Sequence, residues 1–213
     1  MTKIGLVGYG RLGCQIQQML MEKIGTERNE YFLFDDLEHQ KKTFNSFPFS
    51  DHLDSVFCNL TFYVCLGYKN LPLKSKIISD LLSKERKVPN LIHPTSYVHH
   101  TVKVGSGSII YPMCNVDYEV QLGNGVLLNN SSTVSHESQI GEGTYISPGV
   151  VISGGVKIGK HCFLGTGTHV TNDISIGNGV KAGIGTVITK NISDRLSVIG
   201  NPYRILENEL RIS

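Results

Sequence analysis

The sequence predicts two folding units within its 213 residues. An α/β unit is expected over residues 1–90, and an all-β solenoid with a C-terminal tail over residues 91–213. Three observations support this division: an apolar period of six residues in the second part, alternating strand and helix patterns in the first part, and a change of composition near residue 90. A chain of this length can bury two separate cores.

The second unit is predicted by its repeat. From Ile92 to Ile188 every sixth residue is apolar, which makes 17 residues in one phase, and the residue four places after each is small or β-branched. This period matches neither a helix, at about 3.6 residues, nor a half-buried strand, at about 2. It is typical of a triangular solenoid in which each side is one hexapeptide and three sides make a coil. The 17 hexapeptides therefore predict between five and six coils.

Glycine often follows the aliphatic residue of the repeat, as at Gly105, Gly123 and Gly141. We expect these glycines where the backbone turns sharply with a positive φ.

The first unit is predicted by alternating apolar patterns. Strands are expected at 3–9, 30–35 and 60–66, and helices at 11–23 and 71–86, which indicates a small parallel sheet. The first strand-to-helix turn, GYGRLG from Gly8 to Gly13, is a glycine loop of the type that places a pyrophosphate at a helix N-terminus. Asp35 and Asp36 end the second strand, where a carboxylate can bind a ribose. A plain strand-end turn is the alternative for this pair.

The glycine loop by itself would suggest NAD. The unit, however, ends after about 90 residues, half of a usual dinucleotide fold, and half a site suits a nucleotide sugar better. An NAD-binding oxidoreductase would also need a hydride-transfer site, for which the sequence offers no candidate.

Composition excludes several other classes. Lys and Arg number 20 against 18 Asp and Glu, so the net charge of +2 favours neither a nucleic acid nor a membrane surface as partner. The absence of a long apolar run and of a leader-like start predicts a cytoplasmic protein without membrane insertion. The five cysteines, an odd number without a CxxC pair, are expected to be buried free thiols.

The hexapeptides IGEGTY, IGKHCF and IGNGVK resemble those of bacterial hexapeptide-repeat transferases over residues 92–193. That resemblance implies a left-handed parallel β-helix, a homotrimer with active sites between subunits, and acetyl-CoA bound in the cleft between neighbouring helices. The glycine loop with FDD, the segment NLIHPTSYV and the terminal IGNPYRI extend the likeness to nearly the whole chain. They are similar to the sugar O-acyltransferase and sialic-acid-biosynthesis acetyltransferase family. Its members include enzymes that N-acetylate UDP-4-amino-4,6-dideoxy sugars, as in bacillosamine biosynthesis. The expected fold is therefore an α/β Rossmann-like half domain followed by an all-β left-handed parallel β-helix.

The resemblance also implies the site. The segment NNSSTVSHESQIG matches the family's catalytic coil, with His136 as general base and Glu137 as its neighbour. A neutral imidazole can take the proton of an attacking amine, and a carboxylate beside it fixes its tautomer. Acetyl-CoA contacts are implied at Tyr145, Gly154, Thr166 and Ile184. Substrate contacts are assigned to Gly8, Gly10, Arg11, Leu12, Asp35, Asp36, Gly67 and Asn129.

Two positions depart from the family pattern. Relatives commonly have histidine at the positions of Tyr145 and Leu12. Solenoid geometry adds that Gly154 lies 18 residues, or one coil, above His136, where a missing side chain leaves room for a thioester.

The sequence thus predicts acetyl transfer from acetyl-CoA to the amino group of a nucleotide-linked amino-deoxysugar, with a UDP-4-amino-4,6-dideoxy sugar as the best-matched acceptor. A sugar hydroxyl, as in sialic-acid O-acetylation, is the alternative acceptor. A non-catalytic scaffold is the alternative from another class. No metal is expected. His100 and His136 lie two coils apart in one column, that is, at equivalent positions stacked along the solenoid, but Gly141 stands where a third zinc ligand would be needed.

Overall fold

The computed structural model describes residues 2–24, 29–208 and 210. The chain forms two compact units that divide between Pro89 and Asn90. Within the described residues, no helix combines the length and the apolar character that crossing a membrane requires.

The first unit is built on a four-stranded parallel sheet with the order β3-β2-β1-β4. Its strands are β1 (Thr2–Val7), β2 (Asn29–Phe34), β3 (Ser46–Phe47) and β4 (Thr61–Val64). Its α-helices are α1 (Arg11–Ile24), α2 (Asp36–Gln40) and α3 (Leu71–Ser83), and short 3-10 helices lie at Phe49–Leu53, Ser55–Phe57 and Tyr68–Asn70. The buried side chains of Val7, Phe34, Phe62, Ile78 and Leu81 belong to one core, which joins this sheet to α3.

All three predicted strands and the helix predicted at 71–86 end earlier than expected, and for the first strand and that helix a residue of positive φ is the local cause. The first strand stops at Val7 because Gly8 adopts a φ of 86°. The last helix stops at Ser83 because Glu85 lies in the left-handed region, with a φ of 56°. Helix α2 and strand β3 were not predicted, since five and two residues are too few to show a period.

The second unit is a solenoid of two-residue strands. They are β5 (Leu91–Ile92), β6 (Tyr97–Val98), β7 (Lys103–Val104), β8 (Ile109–Ile110), β9 (Asn115–Val116), β10 (Gln121–Leu122), β11 (Leu127–Leu128), β12 (Thr133–Val134), β13 (Gln139–Ile140), β14 (Tyr145–Ile146), β15 (Val151–Ile152), β16 (Lys157–Ile158), β17 (Phe163–Leu164), β18 (His169–Val170), β19 (Ser175–Ile176), β20 (Lys181–Ala182) and β21 (Val187–Ile188). A terminal antiparallel pair, β22 (Ser197–Ile199) and β23 (Arg204–Ile205), follows.

From β5 to β18, each strand pairs in parallel with the strand 18 residues later, as Val134 does with Ile152. The strands therefore form three faces: face 1 contains β5, β8, β11, β14, β17 and β20, face 2 contains β6, β9, β12, β15, β18 and β21, and face 3 contains β7, β10, β13, β16 and β19. The aliphatic residue of every hexapeptide is the second residue of its strand. All of these from Ile110 to Ile188 are buried. The predicted fold class, a Rossmann-like half domain followed by a β-helix of about six turns, is confirmed.

The glycines that follow the aliphatic residues serve a different purpose from the one predicted. None of Gly105, Gly123 and Gly141 has a positive φ; the left-handed residues of the turns lie two positions later, as at Gly143. A Cβ at Gly141 would collide with the backbone of Gly159 in the next coil. These glycines are needed because the coils approach each other closely, and the expectation of a positive φ is wrong.

The cysteines are all free, but only Cys65, Cys114 and Cys162 are buried. The expectation of burial is wrong for Cys14, on helix α1, and for Cys58, in the turn after Ser55–Phe57, because both are exposed.

Buried hydroxyls connect the coils at the corners. The Thr144 hydroxyl donates to the carbonyl of Gly159 at 2.9 Å and accepts the N–H of Cys162, in the next coil, at 3.1 Å. Ser138 makes the same two bonds to Ser153 and Val156. At these two positions the side chain therefore contributes hydrogen bonds between coils as well as fitting the available space.

Replacing Thr144 with valine tests this role. Valine keeps the shape of the side chain but leaves the buried N–H of Cys162 without that acceptor. We expect the free energy of unfolding to fall by about 1–3 kcal/mol, measured by urea denaturation. Thr133→Val, on an outward strand position, is the matched control and should change it by no more than about 0.5 kcal/mol. Equal losses for the two variants would contradict the assignment.

Candidate active site

The centre of the candidate site is the turn after β12. His136 and Glu137 occupy the corner between faces 2 and 3, and Glu137 has a φ of 60°. The Nδ1 atom of His136 lies 3.0 Å from Oε2 of Glu137. Because a carboxylate only accepts hydrogen bonds, Nδ1 carries the proton in this contact. Atom Nε2 is then the basic nitrogen, as a general base requires.

The column above His136 explains its orientation. Gly154 stands one coil higher, and the N–H of Gly155 donates to the carbonyl of His136 at 2.9 Å. A Cβ at Gly154 would overlap the imidazole of His136. The glycine therefore makes room for the ring of the base itself. An acyl group that contacts Gly154 would lie beside Nε2.

The column below His136 holds residues that the sequence interpretation overlooked. Tyr118 lies one coil lower, and its carbonyl accepts the N–H of Glu137 at 2.9 Å. A hydrogen bond to Glu119 raises the pKa of Tyr118, and the charges of Glu119 and Glu137 act in the same direction. Both residues lie 18 positions before the His136–Glu137 pair, so the repeat itself could have identified them.

A groove of about 540 Å³ begins at this corner and extends over face 3. Its lining comprises Thr101, Lys103, Glu119, Gln121, Glu137 and Gln139. The carboxylate of Glu137, which contacts His136, thus borders an open polar groove.

Asn129 and Tyr145 form a second part of the predicted site. The Nδ2 atom of Asn129 donates to the hydroxyl of Tyr145 at 3.0 Å. The ring of Tyr145 is buried and stacks on Phe163 with the ring centroids 5.8 Å apart. The hydroxyl of Tyr145 is thus held in a fixed place on face 1.

Thr166 and Ile184 lie at a different corner, between faces 1 and 2. Both are exposed, Ile184 to 72%. Beside them Gly167 and Gly185 have φ values of 67° and 65°, and a Cβ at either position would meet no atom within 4 Å. Within one chain, the repeat places these predicted acetyl-CoA contacts on a different edge of the prism from His136.

The glycine loop lies in the first unit, at the carboxyl end of β1. Gly10 and Arg11 are exposed where α1 begins. A Cβ at Gly67, in the loop after β4, would lie 3.8 Å from the Leu12 side chain. The structure therefore brings these predicted substrate residues and Gly8 to one edge of the sheet.

Asp35 and Asp36 are both engaged with backbone groups. Asp35 caps α2 by accepting the N–H groups of Leu37 and Glu38 at 3.0 and 3.2 Å. Its other oxygen accepts the N–H of Tyr9 in the glycine loop at 2.7 Å. Asp36 accepts the N–H of Phe49 at 2.8 Å. Asp35 fills the strand-end turn position and also holds the glycine loop in place.

Among the described residues, no three or more His, Cys, Asp or Glu side chains come close enough together to hold a metal ion.

The repeat of the second unit matches a known family. The family described as bacterial transferase hexapeptide (six repeats) matches residues 119–154 and 137–172, which include the His136 coil. The chain carries bacterial transferase hexapeptide repeats. No match is found among curated proteins.

Solved structures match nearly the whole chain. The acetyltransferase domain of PglB from Neisseria gonorrhoeae, in complex with acetyl coenzyme A, is 28% identical with a TM-score of 0.86, covering 96% of this chain and 98% of that one. PerB from Caulobacter crescentus, in complex with CoA and GDP-perosamine, is 21% identical with a TM-score of 0.84, covering 97% of each chain. WeeI from Acinetobacter baumannii is 22% identical with a TM-score of 0.86, covering 97% of this chain and 100% of that one. The interpretation of the chain as a hexapeptide-repeat sugar acetyltransferase is confirmed.

Proposed function

We propose that the protein transfers the acetyl group of acetyl-CoA to the amino group of a nucleotide-linked amino-deoxysugar, with a UDP-4-amino-4,6-dideoxy sugar as the first acceptor to test. The observation that carries this proposal is the His136–Glu137 contact of 3.0 Å, with the imidazole packed on Gly154. The likeness to the PglB domain, whose solved complex holds acetyl coenzyme A, supports acetyl-CoA as donor.

The chemistry follows from this arrangement. Nε2 of His136 accepts a proton from the sugar amine as its nitrogen attacks the thioester carbon. The new N–C bond forms, the C–S bond breaks, and the proton passes from His136 to the leaving sulfur. In this proposal, Glu137 stabilises the imidazolium that exists between the two transfers, and the backbone at Gly154 stabilises the oxyanion.

The first unit is proposed to hold the nucleotide. The open backbone at Gly10 and the start of α1 are suited to a phosphate, because helix N-termini attract anions. PerB shares this fold, and its structure contains GDP-perosamine, so the fold accommodates nucleotide sugars.

A homotrimer with shared active sites is part of the proposal. His136 and the Thr166–Ile184 edge occupy different corners of the prism. One acetyl-CoA molecule could contact both sets of residues if the Thr166–Ile184 edge of one subunit faced the His136 corner of its neighbour. Active sites between subunits would satisfy this requirement.

The test is a thiol-release assay with acetyl-CoA and a panel of UDP-, dTDP-, GDP- and CMP-linked sugars, each in amino and hydroxyl forms. Turnover with one 4-amino sugar nucleotide is the expected result. Turnover with the hydroxyl sugars only would show that the acceptor is a hydroxyl group, as in the O-acetylation alternative, and not an amine. If no sugar of the panel causes thiol release although the protein binds acetyl-CoA, the proposed acceptor class is contradicted.

Replacing Glu137 tests whether its carboxylate orients His136. Replacing it with alanine removes the contact to Nδ1 of His136 but leaves the base in place. We expect kcat to fall by about tenfold, less than loss of the base itself would cause. Glu142→Ala, at a neighbouring corner of the same coil, is the matched control. A Glu137→Ala enzyme with unchanged kcat would show that the carboxylate does not orient the base.

A further inference from the structure

The first unit contains a buried cation without a counter-charge. Lys74, in α3, is fully buried, and its Nζ atom has no hydrogen-bond partner among the residues that the structure describes. Burial lowers the pKa of this amine from the usual 10.5 to about 8. An unpaired buried ammonium is costly, so proteins retain one only where something compensates for it.

The neighbours of the amine supply no such compensation. Cys65, directly after β4, is the only titratable group whose charge acts on Lys74 among the described residues. Burial raises the pKa of the Cys65 thiol, so it stays neutral. Tyr9, in the glycine loop, supplies no anion either, because burial raises the pKa of its hydroxyl.

The position of Lys74 connects it to the glycine loop. Cys65 donates its N–H to Val7 at 2.8 Å, and its carbonyl oxygen lies 3.5 Å from the place of a Cβ on Gly8. Lys74 also lies near the N-terminal end of α3, which is capped by Asn70. A helix N-terminus attracts anions and disfavours a cation. Cys65, at the carboxyl end of β4, is therefore next to Gly8 of the glycine loop and within range of the charge of Lys74.

We propose that Lys74 binds a phosphate oxygen of the nucleoside diphosphate that the glycine loop holds. This inference rests on the proposed function, because it assumes that a nucleotide sugar occupies the first unit. The long, flexible lysine stem lets the amine reach toward the loop. A diphosphate supplies the negative charge that the protein around Lys74 does not.

A buried, unpaired Lys74 amine should make the stability of the ligand-free protein depend on pH. Since the folded protein binds the Lys74 proton less tightly than the unfolded chain does, stability decreases as pH falls from about 10.5 to about 8, and the loss is complete below that range. Lys74→Met should therefore raise the Tm at pH 7, and the gain should shrink at pH 10. A lysine with a structural role would behave oppositely, because its removal would lower the Tm.

The binding test is calorimetric titration of UDP, dTDP and GDP into the intact protein at pH 8.5, in two buffers of different ionisation enthalpy. The wild type should take up protons on binding, whereas Lys74→Met should bind at least about tenfold more weakly and without proton uptake. Lys74→Arg should retain much of the affinity. Lys76→Met, which removes an exposed lysine paired with Asp80 at 2.6 Å on the same helix, is the control and should match the wild type.

The outcomes separate this inference from the proposed function. Wild-type affinity and proton uptake in Lys74→Met, or a Tm that falls, would overturn the role of Lys74 and leave the nucleotide site standing. A wild-type protein that binds none of the three nucleotides would overturn both.

Discussion

Replacing His136 with alanine is expected to lower kcat for acetyl transfer by about 10²- to 10⁴-fold, the usual contribution of a positioned general base. The reason is geometric: Glu137 fixes the proton on Nδ1, so Nε2 is the basic atom beside Gly154. The measurement is thiol release under saturating acetyl-CoA and acceptor. The KM for acetyl-CoA should change little, because the imidazole acts on the proton of the acceptor.

Two controls make the His136 result interpretable. His100→Ala changes an exposed histidine in the same column two coils lower, and should leave kcat unchanged. Sedimentation analysis should show the same oligomeric state for both variants and the wild type. A His136→Ala protein that keeps a near wild-type rate would assign the base elsewhere or make the solenoid a scaffold.

The solenoid could be predicted because its packing repeats. Each aliphatic residue from Ile110 to Ile188 makes the same contact in its coil, so one physical requirement recurs at every sixth position. The relation between His136 and Gly154 follows from the same period. The period also places Thr166 two hexapeptides after Gly154. The sequence therefore already implied that Thr166 and His136 lie at different corners of the prism.

Features without a repeat were harder to predict. Asp35 looked like a ribose ligand because of its position after β2, but the same position suits a helix cap, and the sequence does not distinguish the two. The burial of Lys74 depends on packing between α3 and the sheet, and lysine is ordinarily a surface residue. The glycines of the repeat were correctly located but misinterpreted, since close approach of coils and a positive φ both favour glycine.

Replacing Gly154 with alanine is expected to lower kcat by about 10²-fold. The added methyl group would occupy the space of the His136 imidazole, and the half-exposed ring would have to rotate away from its place on the column. Displacing a catalytic group by about 1 Å has an effect of this size. Because the ring can move into solvent, the free energy of unfolding should change by less than about 1 kcal/mol.

The control for Gly154 is another turn glycine. Gly149→Ser introduces a side chain at a left-handed position where Ser131, one coil lower, already has a φ of 58° and where a Cβ meets no atom within 4 Å. It should leave kcat nearly unchanged. A second substitution separates geometry from bulk: the double variant Gly154→Ala/His136→Ala should have about the kcat of His136→Ala alone, because the base whose position Gly154 secures is then absent. Additive losses, or a Gly154→Ala enzyme with normal kcat, would mean that the ring does not act from the place in which the glycine holds it.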